Sequence, residues 1–216
     1  GILVDRFLDG RQRPWAVVAA FGDNLGDQAR ALGAAAGIDT PRLAELQELG
    51  ECLNYNACGD SDEDLIIHPR LLYEYVHRYR DPWILFANEP VFARLRLARA
   101  EDLVSVRQYH RCISMSAGTI ALLPDTAASR RVRGTFANQL ATDTPEKAHA
   151  VLTPDRQGDF TVSVRAPKKR PLGADNLCAL FGGSGRAAAG GIDHLPREQL
   201  SSFTDAFARS FENKQE

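Results

Sequence analysis

Leu180-Phe181-Gly182-Gly183-Ser184-Gly185-Arg186-Ala187-Ala188-Ala189-Gly190-Gly191 is a glycine cluster that leads into an arginine and three alanines. Glycine lets the backbone turn at positive φ, and its missing Cβ leaves the amide N–H groups of Gly183, Ser184 and Gly185 open to an approaching anion. We expect a short helix to begin near Arg186 and to add its N-terminal donors. The stretch predicts a phosphate-binding loop. The alternative is a tight turn that packs a helix closely onto a strand.

Length, charge and cysteine content set wider limits. The 216 residues can bury one large core or two small ones. Lys and Arg number 26 against 28 Asp and Glu, so a polyanion site has to be a local patch. The four cysteines form no Cys-x-x-Cys pair, which argues against zinc and favours reduced packing residues. Since no apolar run is long enough to cross a membrane and no signal peptide is recognisable, we expect a cytoplasmic protein with no membrane partner.

The first half of the chain is predicted to be mostly helical. Helices are expected over 24–36, 40–53, 69–79 and 82–107, with Thr40 as an N-cap and Pro90 dividing the last of them. The exception is the continuous apolar run 15–21, which predicts a buried strand. Such a strand would deliver Asp23 to the sheet edge where ligands bind in α/β proteins.

From Ala117 onward the pattern alternates between strands and helices. Val162 and Val164 share one face of a predicted strand, and Phe203, Phe207 and Phe211 lie at helical spacing and are expected in the core. The predicted strands cover 119–123, 148–152 and 160–165, and the predicted helices cover 127–140, 174–181 and 196–211. This part of the chain is therefore expected to form a mixed sheet with flanking helices.

The strand Val162-Ser163-Val164-Arg165, the helix 174–181 and the glycine cluster with its alanines together resemble the C-terminal substrate-binding domain of the DHH-family phosphoesterases. That family includes RecJ-like exonucleases, oligoribonucleases, cyclic-dinucleotide phosphodiesterases and exopolyphosphatase-like proteins. Upstream, Ala19-Ala20-Phe21-Gly22-Asp23 resembles the late motif of the catalytic domain, in which an Asp after a strand helps to hold a metal ion.

The resemblance implies an α/β protein in three parts. Residues 1–80 would end a larger α/β catalytic domain, 81–116 would be a helical connector, and 117–216 would be the complete substrate-binding domain. The phosphate-binding residues implied are Ser163, Arg165, Gly182, Gly183, Ser184, Gly185 and Arg186, and the metal ligand implied is Asp23.

The resemblance also implies a function for the parent protein. The full-length enzyme would hydrolyse phosphoester or phosphoanhydride bonds with Mn²⁺ or Mg²⁺. This chain alone would be inactive and would bind no metal. Its partner would be a phosphorylated small molecule, a nucleotide or a short oligonucleotide, and a homodimer is compatible with the sequence.

Two departures from the family pattern keep alternatives open. Arg186 stands where family members commonly have His, and the early Asp-rich and Asp-His-His motifs are missing from this sequence. Arginine can clamp phosphate but cannot serve as a proton donor as His does. One alternative is a non-catalytic nucleotide or nucleic-acid binding module, and another is a purely architectural glycine cluster in an oligomerisation domain. The basic clusters 130–133 and 168–170 are better explained as solvated surface than as a nucleic-acid track.

Overall fold

A computed structural model of the chain describes residues 1–212. It divides into two compact units, Gly1–Glu101 and Asp102–Glu216, called unit 1 and unit 2 below. The described residues form ten α-helices and one six-stranded mixed sheet. The α/β fold class expected from the sequence is thus confirmed, while the three-part domain division stays a prediction.

Unit 1 is built from helices, and their starts are fixed by caps. The Asp39 carboxylate accepts a hydrogen bond from the Arg42 N–H at 2.9 Å, so Asp39 and not Thr40 is the N-cap of its helix. Asp81 caps a later helix through the Trp83 N–H at 2.8 Å. The helices are α1 (Ile2–Phe7), α2 (Arg13–Gly22), α3 (Gly26–Ala35), α4 (Thr40–Tyr55), α5 (Pro69–Val76), α6 (Pro82–Asn88) and the first part of α7 (Val91–Tyr109).

The apolar run 15–21 forms helix α2, so the predicted strand is wrong. Five of its residues are buried, and α2 packs against α1, α3 and α4. A helix with neighbours on several sides has no polar face, and a short run of this kind cannot be distinguished from a buried strand by periodicity. Asp23 consequently caps the C-terminus of a helix rather than ending a strand.

Both tryptophans of the chain lie in unit 1. Trp15 donates from Nε1 to the Arg80 carbonyl oxygen at 2.9 Å, and Trp83 donates to the Arg42 carbonyl oxygen at 3.0 Å. The Arg42 guanidinium lies 4.0 Å from the centre of the Trp83 ring. These contacts tie the segment around residue 80 to helices α2 and α4.

Unit 2 contains the sheet. Its strands are β1 (Arg111–Met115), β2 (Gly118–Leu122), β3 (Ala148–Pro154), β4 (Phe160–Arg165), β5 (Ser184–Arg186) and β6 (Ala189–Leu195), in the order β1-β2-β3-β4-β6-β5. Only β2 and β3 pair in parallel, and helix α8 (Ala127–Asp143) makes the crossover between them. Strands β2, β3 and β4 and helix α8 were predicted from the sequence, whereas β1 and β6 were not.

One face of the sheet packs against α9 (Ala174–Ala179) and α10 (Leu200–Phe211) and forms the core of unit 2. Phe203, Phe207 and Phe211 are buried there as predicted. The rings of Phe207 and Phe211 meet edge to face with their centres 5.2 Å apart. The other face is partly covered by α8, so the two faces of this sheet pack against different helices.

The cysteines only partly follow their prediction as packing residues. Cys52 and Cys178 are buried, and burial raises the pKa of each thiol to about 11. Cys112 is exposed on β1, so for this residue the prediction is wrong. None of the helices formed by residues 1–212 has the length and hydrophobicity needed to cross a lipid bilayer.

Candidate functional site

The strand register brings the predicted polar residues onto one face of the sheet. Arg165 of β4 and Arg186 of β5 are both in register with Ala189 of the intervening strand β6. Ser163 and Ser184 form a second row in the same way, on either side of Gly191. Residues in register, and residues two apart along a strand, point to the same side of a sheet. The two serines and two arginines therefore share one face.

The middle of this face is open because β6 contributes only Ala189 and Gly191 between these side chains. Ala189 and Gly191 lie between the two pairs of polar side chains, and neither rises more than a methyl group above the sheet. Neighbouring strands lie about 4.8 Å apart, so the Cα atoms of Arg165 and Arg186 are on the order of 10 Å from each other. The result is a shallow floor with a guanidinium on each side.

Arg165 is partly buried and is held by neutral oxygens. Its Nε donates to Asn138 Oδ1 at 2.6 Å, its Nη1 to the Val164 carbonyl at 2.9 Å and its Nη2 to the Gly134 carbonyl at 3.4 Å. Burial lowers the pKa of the guanidinium, and the charge of Arg186 lowers it further. No carboxylate among the described residues pairs with Arg165, so its positive charge is uncompensated.

Arg186 is exposed, and its side chain makes no hydrogen bond or ion pair with other residues in the range 1–212. The positive charge of Arg186 contributes to the lowered pKa of Arg165, because like charges disfavour each other. Two positive charges lie on the same face of the sheet with no acidic residue between them. This arrangement favours the binding of an anion there.

The glycine cluster allows strands and a helix to pack closely, in addition to leaving one surface of the sheet open. A Cβ at Gly183 would collide with the Gly191 carbonyl oxygen. A Cβ at Gly190 would lie 2.7 Å from Cys178 Sγ and 2.9 Å from the Ala174 carbonyl oxygen. These glycines let β5 approach β6 and let β6 approach α9, which is the close helix-on-strand packing considered as the alternative.

Two details of the predicted phosphate loop are wrong. Residues Ser184–Arg186 form strand β5, and no helix begins near Arg186. The amide N–H of Gly183 donates to the Cys178 carbonyl at 2.9 Å, so it is occupied within the protein. An anion at this site would be bound chiefly by side chains, whereas a glycine loop at a helix N-terminus binds an anion through backbone N–H groups.

The basic cluster on α8 is tied down by partners within unit 2. Arg131 makes a two-point contact with Asp102 at 2.8 and 3.1 Å, and both side chains are 11% exposed. Arg130 pairs with Asp125 at 2.7 Å, and Arg133 donates to Thr153 Oγ1. These arginines hold α8 in place and are not the solvated surface that was predicted for the cluster, because the side chains of Arg130 and Arg131 are mostly buried.

Asp23 is exposed at the end of α2, in unit 1. Among residues 1–212, no three His, Cys, Asp or Glu side chains are grouped so that they could hold a metal ion. The described residues do not supply a metal centre by themselves. The role of Asp23 as a metal ligand stays a prediction.

Asn138 and Gly134, which contact Arg165 from helix α8, were not predicted from the sequence. They lie four residues apart and so share one face of that helix. They are far from Arg165 in sequence, and nothing in their local pattern distinguishes them. The available signal was the parallel β2–α8–β3 crossover, which requires a helix to lie over one face of the sheet.

No protein-family model and no curated protein sequence matches this chain. Among solved structures, the DHH domain of a member of the s1p family of ribosomal proteins matches with a TM-score of 0.59 and 14% identity, over 92% of this chain and 49% of that chain. At this identity the likeness shows the fold alone. It confirms the resemblance to DHH proteins at the level of the fold, and the chain spans about half the length of that structure.

Two further solved structures match more weakly. An exopolyphosphatase-related protein from Bacteroides fragilis has a TM-score of 0.42 and 14% identity, over 86% of this chain and 55% of that chain. A pGpG-specific phosphodiesterase from Vibrio cholerae has a TM-score of 0.45 and 13% identity, over 85% of this chain and 72% of that chain.

Proposed function

We propose that unit 2 recognises the phosphate of a nucleotide or short oligonucleotide, as the recognition half of a DHH-type phosphoesterase. The observation that carries this proposal is the pair of guanidinium groups, Arg165 and Arg186, on one open sheet face with no paired carboxylate. The shared fold with a DHH domain is consistent with it.

The proposal rests on the electrostatics of Arg165. Burying a cation without a counter-charge is unfavourable, because neutral oxygens replace only part of its hydration. A bound phosphate would supply the missing negative charge and accept charge-assisted hydrogen bonds, which are stronger than neutral ones. Ser163 and Ser184 would add hydroxyl donors along the same floor.

Hydrolysis is proposed for the full-length parent and not for this chain. Metal-dependent cleavage needs several carboxylate or imidazole ligands around Mn²⁺ or Mg²⁺. The described residues offer no such group, so Asp23 would act only together with ligands from the rest of the parent. The alternative, a module that binds without catalysis, predicts the same binding by unit 2 but no hydrolysis by the full-length protein in Mn²⁺.

The binding proposal is tested by calorimetric titration with adenosine 5′-monophosphate. We expect Arg165→Ala and Arg186→Ala each to weaken binding by roughly tenfold or more, because each removes charge-assisted hydrogen bonds. Arg209→Ala is the matched control, since Arg209 is exposed on α10, which packs on the opposite face. Equal affinities for wild type and both site variants would contradict the proposal.

A further inference from the structure

Asn138 is the side chain that fixes the guanidinium of Arg165, and it does so without cancelling its charge. The Asn138 Oδ1 atom lies 2.6 Å from Arg165 Nε, the shortest of the three hydrogen bonds that this guanidinium makes. Arginine has only donors, so the amide oxygen and not the amide nitrogen must face it. We propose that Asn138 is a positioning residue that holds Arg165 for an anionic ligand and keeps its charge available.

The hydrogen-bond pattern leaves the guanidinium able to bind a second partner. Of its five N–H donors, one on Nε and one on each terminal nitrogen point to protein oxygens. One N–H remains on each terminal nitrogen. A guanidinium can present one N–H from each terminal nitrogen to two phosphate oxygens at once.

The next contact along this helix face also uses a neutral acceptor. Gly134, Asn138 and Thr142 follow at intervals of four residues, so they lie along one face of α8. Gly134 and Asn138 accept from Arg165, and Thr142 Oγ1 accepts from Lys168 Nζ at 3.0 Å. Two cations are therefore held by neutral acceptors.

The chain uses the opposite arrangement about two turns earlier on the same face of α8. Arg131 is paired with the carboxylate of Asp102, and that pair is structural. An aspartate at residue 138 would be almost the same size as asparagine and would place a carboxylate beside Arg165. The neutral amide thus matters for charge rather than for shape.

The inference rests on the proposed function, and one set of variants separates the two. Asn138→Asp keeps an acceptor for Arg165 but adds a counter-charge, so we expect an unchanged or higher melting temperature together with at least roughly tenfold weaker AMP binding. A purely structural role would move stability and affinity in the same direction. Asn138→Ala removes the acceptor and should lower both.

The matched control is Gln139→Glu, which makes the same amide-to-carboxylate change one residue further along α8. Gln139 contacts Arg107 at 3.0 Å instead of Arg165, so AMP affinity should be unchanged. If Arg165→Ala abolishes binding while Asn138→Asp binds AMP as tightly as wild type, the role of Asn138 is overturned and the proposed function stands. If the wild type does not bind AMP, or Arg165→Ala binds as tightly as wild type, both are overturned.

Discussion

Two arginines of unit 2 differ in the chemistry of their partners. Arg131 and Arg165 both reach partners across the packed part of unit 2. Arg131 meets the carboxylate of Asp102 at two points, whereas Arg165 meets an amide and two carbonyl oxygens. The first arrangement pairs the positive charge with a carboxylate within the protein, and the second does not. Neither the number of arginines nor the sequence around each arginine distinguishes these two kinds of partner.

A second polar cluster, at the turn between β3 and β4, ties that turn to the end of β6. His194 lies with Nδ1 3.0 Å from Asp155 and with Nε2 3.1 Å from Asp159. Asp155 also accepts hydrogen bonds from the N–H groups of Gln157 and Asp159. Burial, the largest influence, raises the pKa of Asp155, but the hydrogen bonds from His194 and the two N–H groups outweigh it, so the pKa is lowered.

The lowered pKa of Asp155 predicts a pH-dependent contribution to stability. A carboxyl group whose pKa is lower in the folded state stabilises the fold above its unfolded pKa of about 3.9, and the contribution is lost as the pH falls through the folded value. We therefore expect Asp155→Asn to be less stable than wild type at pH 7 and to approach it at pH 2, as measured by urea denaturation. Asp205→Asn, at an exposed acid on α10, is the control, and an equal gap for Asp155→Asn at both pH values would contradict the prediction.

At the scale of elements, the sequence predicted structure best where the pattern was long or alternating. Helices α4, α8 and α10 and strand β4 have clear caps or a clear periodicity. The run 15–21 was misassigned because a helix buried on several sides and a buried strand look alike. Strand β1 was missed because its residues are mostly exposed and include polar ones.

The candidate site was likewise predictable from the sequence only in part. Ser163, Arg165, Ser184 and Arg186 could be named from the sequence, and the sheet register brings them together. Their common face could not be derived, because it depends on β6 lying between β4 and β5 in a non-sequential order. The contribution of Asn138 was equally hidden, since it depends on where a crossover helix packs.

The approach of β5 to β6 gives a prediction about the glycine cluster. Gly183→Ala places a methyl group against the Gly191 carbonyl, so β5 must move away, at a cost of about 3 kcal/mol. Gly182→Ala is the control, because a Cβ there has open space and only the left-handed φ of +74° costs about 1 kcal/mol. Urea denaturation measures both. A smaller loss for Gly183→Ala than for Gly182→Ala would show that β5 does not need this close contact.

At the scale of the whole molecule, the hydrophobic cluster under the sheet draws all its members from unit 2. Phe207 is fully buried there, whereas Phe7 in unit 1 is 85% exposed. The same Phe→Ala substitution can therefore be compared at a buried position, Phe207, and at an exposed position, Phe7. Apolar burial, more than any polar contact, supplies the stability of unit 2.

We expect Phe207→Ala to destabilise unit 2 by about 3–5 kcal/mol, because it leaves a cavity in a packed core. Phe7→Ala should change stability by no more than about 0.5 kcal/mol. Scanning calorimetry of the intact protein measures both as shifts in melting temperature. Similar shifts for the two variants would mean that the core is not where the structure places it.

The placement of Trp15 and Trp83 has an optical consequence. Since the chain has only these two tryptophans and both belong to unit 1, its indole fluorescence originates in unit 1 alone. Binding at the arginine pair in unit 2 would alter this emission only if the surroundings of Trp15 or Trp83 change. Indole emission during a titration with AMP would therefore show whether the environment of these two side chains in unit 1 responds to the ligand.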